Sequence, residues 1–352
     1  MSDKPVSGFM HLIKETITST SDKHIGKIFK EDLDRFSKIR LAPLWQLDKN
    51  AEMNPYVISL VGLTNVGKST LTEALLGHAV APHKNQRATA IPVEYKYSLN
   101  WQMEVMTHHD FKYKEYDYDD PSLLAKELTK YVFDVDTTNA YSVEYVKVKG
   151  PMEVLKEGLI LADTPGFGAA QQVGDGIRRN QDHLEGFIKN VHRVYLCLSV
   201  GADGDTFTVS DDEKAFFQRI KSRCSNIIVN KWKFDEDHNQ QEYINKYNHI
   251  FENIEEDGFI FINAKNAIKG KEKSNIEKLK SDIVKYSTPE QRRCVVWNDL
   301  VRAWKDCQHY METVHHLSEI PWRPDSLKRF LLSCKSVEKL HPIVSDIERI
   351  IK

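Results

Sequence analysis

Between residues 56 and about 287, short apolar runs alternate with stretches of helical periodicity. The first run is Tyr56-Val57-Ile58-Ser59-Leu60-Val61. The runs at 158–162, 192–199, 225–230 and 258–262 read as buried strands, and those at 91–98, 102–107 and 142–148 as further strand candidates. Continuous apolar runs predict strands covered on both faces. Their alternation with helical patterns predicts an α/β domain, a mostly parallel sheet flanked by helices. Pro121 to about Val135 predicts a helical insert among the early strands.

The two ends of the chain have a different pattern. Ile25, Ile28, Phe29, Leu33, Phe36 and Ile39 recur at helical spacing, and Pro43 and Asn54-Pro55 break the chain after them. Beyond Pro289, Trp297, Leu300, Trp304, Cys307, Met311 and Val314 repeat at spacings of three and four. That spacing predicts one apolar seam along a long helix, with breaks at Pro321, Pro324 and Pro342. The expected organisation is an N-terminal helical segment (1–50), an α/β domain (55–287) and a C-terminal helical segment (288–352). The two terminal segments would pack together as a bundle. The alternative use of the seam is a partner interface.

Composition narrows the classes. The 352 residues are 41% hydrophobic, enough for one large domain and a smaller one. A net charge of −2 gives no pointer to nucleic acid or an anionic membrane. The five cysteines (Cys197, Cys224, Cys294, Cys307 and Cys334) lack metal-ligand spacing and suggest reduced thiols in a cytoplasmic protein. No apolar signal region opens the chain, and no stretch is long enough to span a bilayer.

The candidate chemistry begins after the first strand. Gly62-Leu63-Thr64-Asn65-Val66-Gly67-Lys68-Ser69-Thr70 fits the phosphate-loop pattern G-x-x-x-x-G-K-[ST], and Leu71–Gly77 reads as a helix with a glycine stop. The glycines let backbone N–H groups curl around a phosphate at a helix N-terminus. Lys68 can reach the terminal phosphates, and Ser69 can ligate Mg²⁺.

A second motif follows at the end of another apolar run. Leu159-Ile160-Leu161-Ala162 leads into Asp163-Thr164-Pro165-Gly166. An aspartate there can hold Mg²⁺ through water, and the Gly166 N–H can bond a γ-phosphate. Between the motifs, Thr89 is the candidate hydroxyl for Mg²⁺ and γ-phosphate; its alternative is an ordinary loop threonine. At the base end, Cys224–Val229 leads into Asn230-Lys231-Trp232-Lys233, and Phe259–Ile262 into Asn263-Ala264-Lys265. A guanine reader at position 233 needs an acceptor, and lysine has only donors. Asp235 or Asp237 are the candidates to replace it.

These motifs, together with His83–Val93 and Val146–Gly168, resemble the dynamin-like GTPases in their mitofusin and bacterial branch. The resemblance covers about residues 55–287. It implies hydrolysis of GTP to GDP and phosphate with Mg²⁺, switch loops around Thr89 and Asp163–Gly168, and a homodimer across the nucleotide site. The terminal helices would resemble a neck bundle, and a stalk-bearing partner protein is an alternative associate. The residues that would carry turnover are Lys68, Thr89, Asn65 and Gly166. Those that would hold nucleotide are Gly62, Thr64, Asn65, Val66, Gly67, Lys68, Ser69, Thr70, Asp163, Gly166, Asn230, Lys231, Asp235, Ala264 and Lys265. Ser69, Thr89 and Asp163 would hold the metal.

The chain departs from the family pattern at Lys233. It also lacks the length of a long stalk, and no paddle or basic amphipathic stretch is visible, so membrane association is not indicated. Small GTPases place a water-orienting glutamine where this chain has Phe167. Asn65 stands where potassium-activated GTPases carry a cation-binding asparagine, which suggests K⁺ as a second cofactor; the alternative is a bracing role in the loop. Two other functions stay open, an ATP or dual-nucleotide hydrolase and a nucleotide-bound scaffold with little turnover. His108-His109-Asp110, His315-His316, Asp117–Asp120 and Lys269–Lys280 read as exposed surface.

Overall fold

The computed structural model describes residues 42–82, 91–107, 113–133, 143–167 and 184–300, apart from 185–186, 189, 201–208, 222, 235–238, 252–253 and 255. The described chain falls into two units, Met53–Thr288 and a second that holds residues 42–52 and 289–300. In the second unit, helix α1 (Ala42–Asn50) buries Leu44 and Leu47, and helical residues 289–300 bury Val296, Trp297 and Leu300. Buried Arg292 donates to the Ala51 carbonyl at 2.9 Å, and Arg293 pairs with Glu52. Trp297 and Leu300 open the seam read from the sequence; the rest of it, with residues 1–41, lies outside the described residues.

Among the described residues, the larger unit is built on nine strands. In chain order these are β1 (Tyr56–Val61), β2 (Val93–Tyr97), β3 (Trp101–Thr107), β4 (Tyr113–Tyr118), β5 (Val143–Gly150), β6 (Leu159–Asp163), β7 (Arg193–Ser199), β8 (Cys224–Asn230) and β9 (Phe259–Phe261). They lie in the order β4-β3-β5-β2-β6-β1-β7-β8-β9. Ladders β1–β6, β1–β7, β7–β8, β8–β9 and β2–β5 are parallel, and β2–β6, β3–β4 and β3–β5 antiparallel. The mostly parallel α/β sheet is the one the periodicity predicts. Strand order reverses around β1, and the carboxyl ends beside such a reversal form a crevice for ligands.

The helices form where their sequences provide starts and stops. Helix α2 (Lys68–Leu76) is bounded by Gly67 and Gly77, both left-handed, and the Gly77 N–H donates to the Glu73 carbonyl. Helix α3 (Pro121–Phe133) is the predicted insert; Asp120 accepts from the Ser122 N–H at 2.8 Å at its start. Helix α4 (Asp211–Ile220) opens with a capping box between Ser210 and Glu213. Helix α5 (Gln240–Tyr247), α6 (Ala264–Ile268) and α7 (Ile276–Val284) complete the layer set. Val61, Leu196, Leu198, Val229 and Phe261 from the sheet pack with Phe216 and Phe217 of α4 and Tyr243 and Tyr247 of α5 in one apolar cluster.

Strand β4 is an element the sequence reading lacks, because Asp117-Tyr118 read there as part of a charge run. Among the described residues it is the outermost strand and pairs with β3 alone. A strand with one ladder and an open side can be polar: Lys114, Glu115 and Asp117 are exposed, and Tyr116 hydrogen-bonds Tyr131 of α3 at 3.1 Å. Its alternation is weak because Tyr116 and Tyr118 are half-buried.

Candidate functional site

The loop from Gly62 to Gly67 leaves the carboxyl end of β1 and turns into α2. Asn65 (φ 66°) and Gly67 (φ 92°) are left-handed. At Gly67 an added Cβ would stand 2.5 Å from Asn230 Nδ2, so the position requires glycine for space as well as conformation. The buried Lys68 ammonium donates to the Gly62 carbonyl at 3.0 Å and the Leu63 carbonyl at 2.9 Å. Burial lowers its pKa, and the negative charge of Asp163 opposes that shift. Ser69 Oγ donates to Asp163 Oδ2 at 2.8 Å, and Asp163 is fully buried. The register of β1 with β6 places Leu60 opposite Asp163, which brings the second motif beside the first.

Past Asp163 the chain is latched to the loop. Thr164 Oγ1 donates to the Leu60 carbonyl at 2.8 Å, and the Phe167 N–H to the Gly62 carbonyl at 3.3 Å. Leu63 and Phe167 form a parallel bridge. Gly166 is packed so close to Thr64 that an added Cβ would lie 2.6 Å from its backbone nitrogen and its Oγ1. The Phe167 ring is buried and stacks on Phe216 at 4.0 Å. It therefore points into the apolar cluster, away from the loop.

Asn230, at the end of β8, joins three segments. Its Nδ2 donates to the Val66 carbonyl at 2.9 Å and the Gly67 carbonyl at 3.5 Å. Its Oδ1 accepts from the Lys231 N–H at 2.8 Å and the Ala264 N–H at 3.2 Å. Lys231, also left-handed, extends its Nζ to the Asn65 carbonyl at 2.9 Å. Trp232 is core, edge-on to Phe261 at 4.5 Å and to Tyr243 at 5.9 Å. Asn263 caps α6 by accepting from the Asn266 N–H at 3.0 Å, and donates to the Trp232 carbonyl at 3.0 Å.

The structure thus brings together Gly62, Thr64, Asn65, Val66, Gly67, Lys68, Ser69, Asp163, Gly166, Asn230, Lys231 and Ala264. Thr70 is half-buried in the first turn of α2, and Lys265 is exposed in α6. Thr89, Asp235 and Asp237 lie outside the described residues, as do His108-His109-Asp110 and His315-His316. Sequence reasoning missed the tie that Asn230 makes to the phosphate loop. The close approach of Gly67 to that side chain is its structural counterpart, and no local sequence pattern reveals it.

A glycine loop at the carboxyl end of β1, with Lys68 buried against it and an aspartate from the adjacent strand on Ser69, defines a P-loop nucleotide-binding domain. Residues 58–231 match the family model described as the dynamin family. No curated protein sequence matches the chain. Among solved structures, one of an oligomerised bacterial dynamin pair, described as a mechanism for long-range sensing and tethering of membranes, is 17% identical with a TM-score of 0.49. The match covers 73% of this chain and 39% of that one, so the chain spans about two fifths of that dynamin's length. Era from Aquifex aeolicus, bound to GDP and aluminium fluoride, is 14% identical with a TM-score of 0.38, over 66% of this chain and 57% of that one. Among the described residues, no helix is long and apolar enough to cross a membrane.

Proposed function

We propose that this protein is a GTPase that converts GTP to GDP and phosphate with Mg²⁺, and that its nucleotide cycle drives self-association or a change in the helical segments at its two ends. The carrying observation is the contact of Ser69 Oγ with Asp163 Oδ2 beside the buried Lys68 ammonium. Two hard oxygens 2.8 Å apart fit Mg²⁺, which takes one or two protein oxygens and completes its octahedron with phosphate and water. Among the described residues no group of three His, Cys, Asp or Glu could hold a metal alone, in keeping with a metal that arrives with its nucleotide.

Mg²⁺, when bound, supplies charge neutralisation between the β- and γ-phosphates. The protein's own part is to position. Lys68 would exchange its two carbonyl partners for phosphate oxygens. The Gly166 N–H, held against Thr64, would donate to the γ-phosphate, and Thr89 would bring its hydroxyl to the metal and γ-phosphate. Phe167 is packed in the core, so water must be oriented by another group. The exposed side chain of Asn65 is open to a K⁺ ion, whose role would be to offset charge developing on the phosphates. Turnover that is equal in KCl and NaCl would remove that role.

The base end supports guanine less directly. Asn230 and Lys231 reach the loop, Trp232 is core, and Lys233 offers only donors; Asp235 is the proposed acceptor. Lys233 is also the observation that favours the second reading, an ATP or dual-nucleotide hydrolase. Phosphate release from GTP and from ATP, with Mg²⁺ and with Lys68→Ala as the blank, separates the readings. GTP-selective turnover is expected. Equal or ATP-favoured turnover would sink the guanine assignment, and no turnover above the blank would leave a nucleotide-bound scaffold.

A further inference from the structure

Tyr95 lies on β2, opposite Leu161 of β6, and its strand neighbour Val93 lies opposite Asp163. Cross-strand partners share a face, and residues two apart on one strand do as well. The Tyr95 ring therefore stands on the face of the sheet that carries Asp163. That face meets α2, since Ser69 of α2 reaches Asp163 there. The Tyr95 side chain is completely buried, yet its hydroxyl has no hydrogen-bond partner among the described residues. Water would have satisfied that hydroxyl in the unfolded chain, so its burial without a partner opposes folding. A phenylalanine would fill the same space without that cost.

Burial first, and then the negative charges of Asp163 and Glu73, push the Tyr95 phenol well above the ordinary tyrosine value. Tyr95 is thus a neutral O–H donor on the sheet face that carries Asp163. Glu73 Oε1 already accepts the Ala81 N–H at 3.2 Å, which anchors the chain just before residues 83–90. Asp163 already accepts from Ser69. A carboxylate that holds a cation on one side is commonly oriented by hydrogen bonds from the other.

We propose that Tyr95 is a positioning residue for Asp163: its buried hydroxyl donates to that carboxylate when Mg²⁺ and nucleotide are held, and fixes the carboxylate's orientation toward the metal. This rests on the Mg²⁺-dependent nucleotide site proposed above. Tyr95→Phe tests it, read by the Mg²⁺ concentration that half-saturates binding of a fluorescent non-hydrolysable GTP analogue. The half-saturating concentration is expected to rise about 10-fold, with no fall in melting temperature. Tyr97→Phe, a half-buried tyrosine on the same strand, should leave it unchanged. An unchanged Mg²⁺ requirement in Tyr95→Phe overturns the proposal, and doing so with a lower melting temperature gives the hydroxyl a packing role instead. Analogue binding by the wild-type protein that ignores Mg²⁺ altogether would count against the proposed function first, and would be seen before any variant is made.

Discussion

At the phosphate end of the site, Lys68 and Ser69 present a charge and a hydroxyl from the first turn of one helix, with Asp163 alongside from the neighbouring strand. At the proposed base end, the polar side chains at the ends of β8 and β9 are engaged with the protein itself. Asn230 holds the loop and the Ala264 N–H, Lys231 lies on the Asn65 carbonyl, and Asn263 caps α6. The phosphate end is thus a local device, encoded in eight consecutive residues and completed by one strand pairing. Asn230 and its neighbours brace the loop and give it its shape. On the proposed function, base discrimination would fall to residues further along, and affinity for triphosphate and choice of purine would reside in different parts of the chain.

Asn230→Ala is the strongest way to break that division. It leaves two loop carbonyls and two N–H groups without their partner, and should lower stability by about 3 kcal/mol. Affinity for GTP and ATP should fall together, measured by melting and by titration of both nucleotides. A loss confined to GTP would make Asn230 a base reader. Phe167→Gln asks whether the phosphate end extends into the core. The amide would replace a ring stacked at 4.0 Å on Phe216, costing about 2 kcal/mol, with no gain in phosphate release. Faster release at unchanged stability would put side chain 167 in the site.

Lys233→Asp sharpens the base end. An acceptor placed there should raise the GTP-over-ATP preference about tenfold, read as a ratio of dissociation constants. An unchanged ratio would place the reader elsewhere, with Asp235 first in line. The smallest effect concerns β7 and β8, which run beneath both ends. Burial pushes the thiols of Cys197 and Cys224 up to about 12. At pH 8 mass-mapped alkylation of the native protein should label neither, and Cys197, beside Lys68, should react no faster than Cys224. Faster labelling at Cys197 would mean that the phosphate end opens by itself. Because the folded pKa is the higher one, these thiols lend stability that is full below about 8.5 and declines as pH rises toward about 12.

Most of the sheet was legible because buried parallel strands are written as unbroken apolar runs, and the phosphate loop because its chemistry requires particular residues at fixed spacing. Asp163 was legible for both reasons, as the end of one such run. Strand β4 was not, since an edge strand needs neither a long apolar run nor a clean alternation. Phe167 could be read as unable to orient water, but its burial against Phe216 depends on α4, some fifty residues away. The role of Asn230 was hidden for a similar reason: its partners at 66, 67 and 264 are joined only by the fold. Tyr95 read as one aromatic in a strand, and only the register with β6 sets it on the face of Asp163.

The ends of the sheet bear on any experiment that looks for self-association. Among the described residues the outermost strands are β4, whose exposed Lys114, Glu115 and Asp117 stud its length, and β9, which is three residues long and buried. Charge on one margin and brevity on the other discourage strand addition between copies and the aggregation it would seed. A concentrated sample that gains mass only when nucleotide is added would then be reporting a reversible assembly, with edge-to-edge polymerisation of the sheet an improbable route.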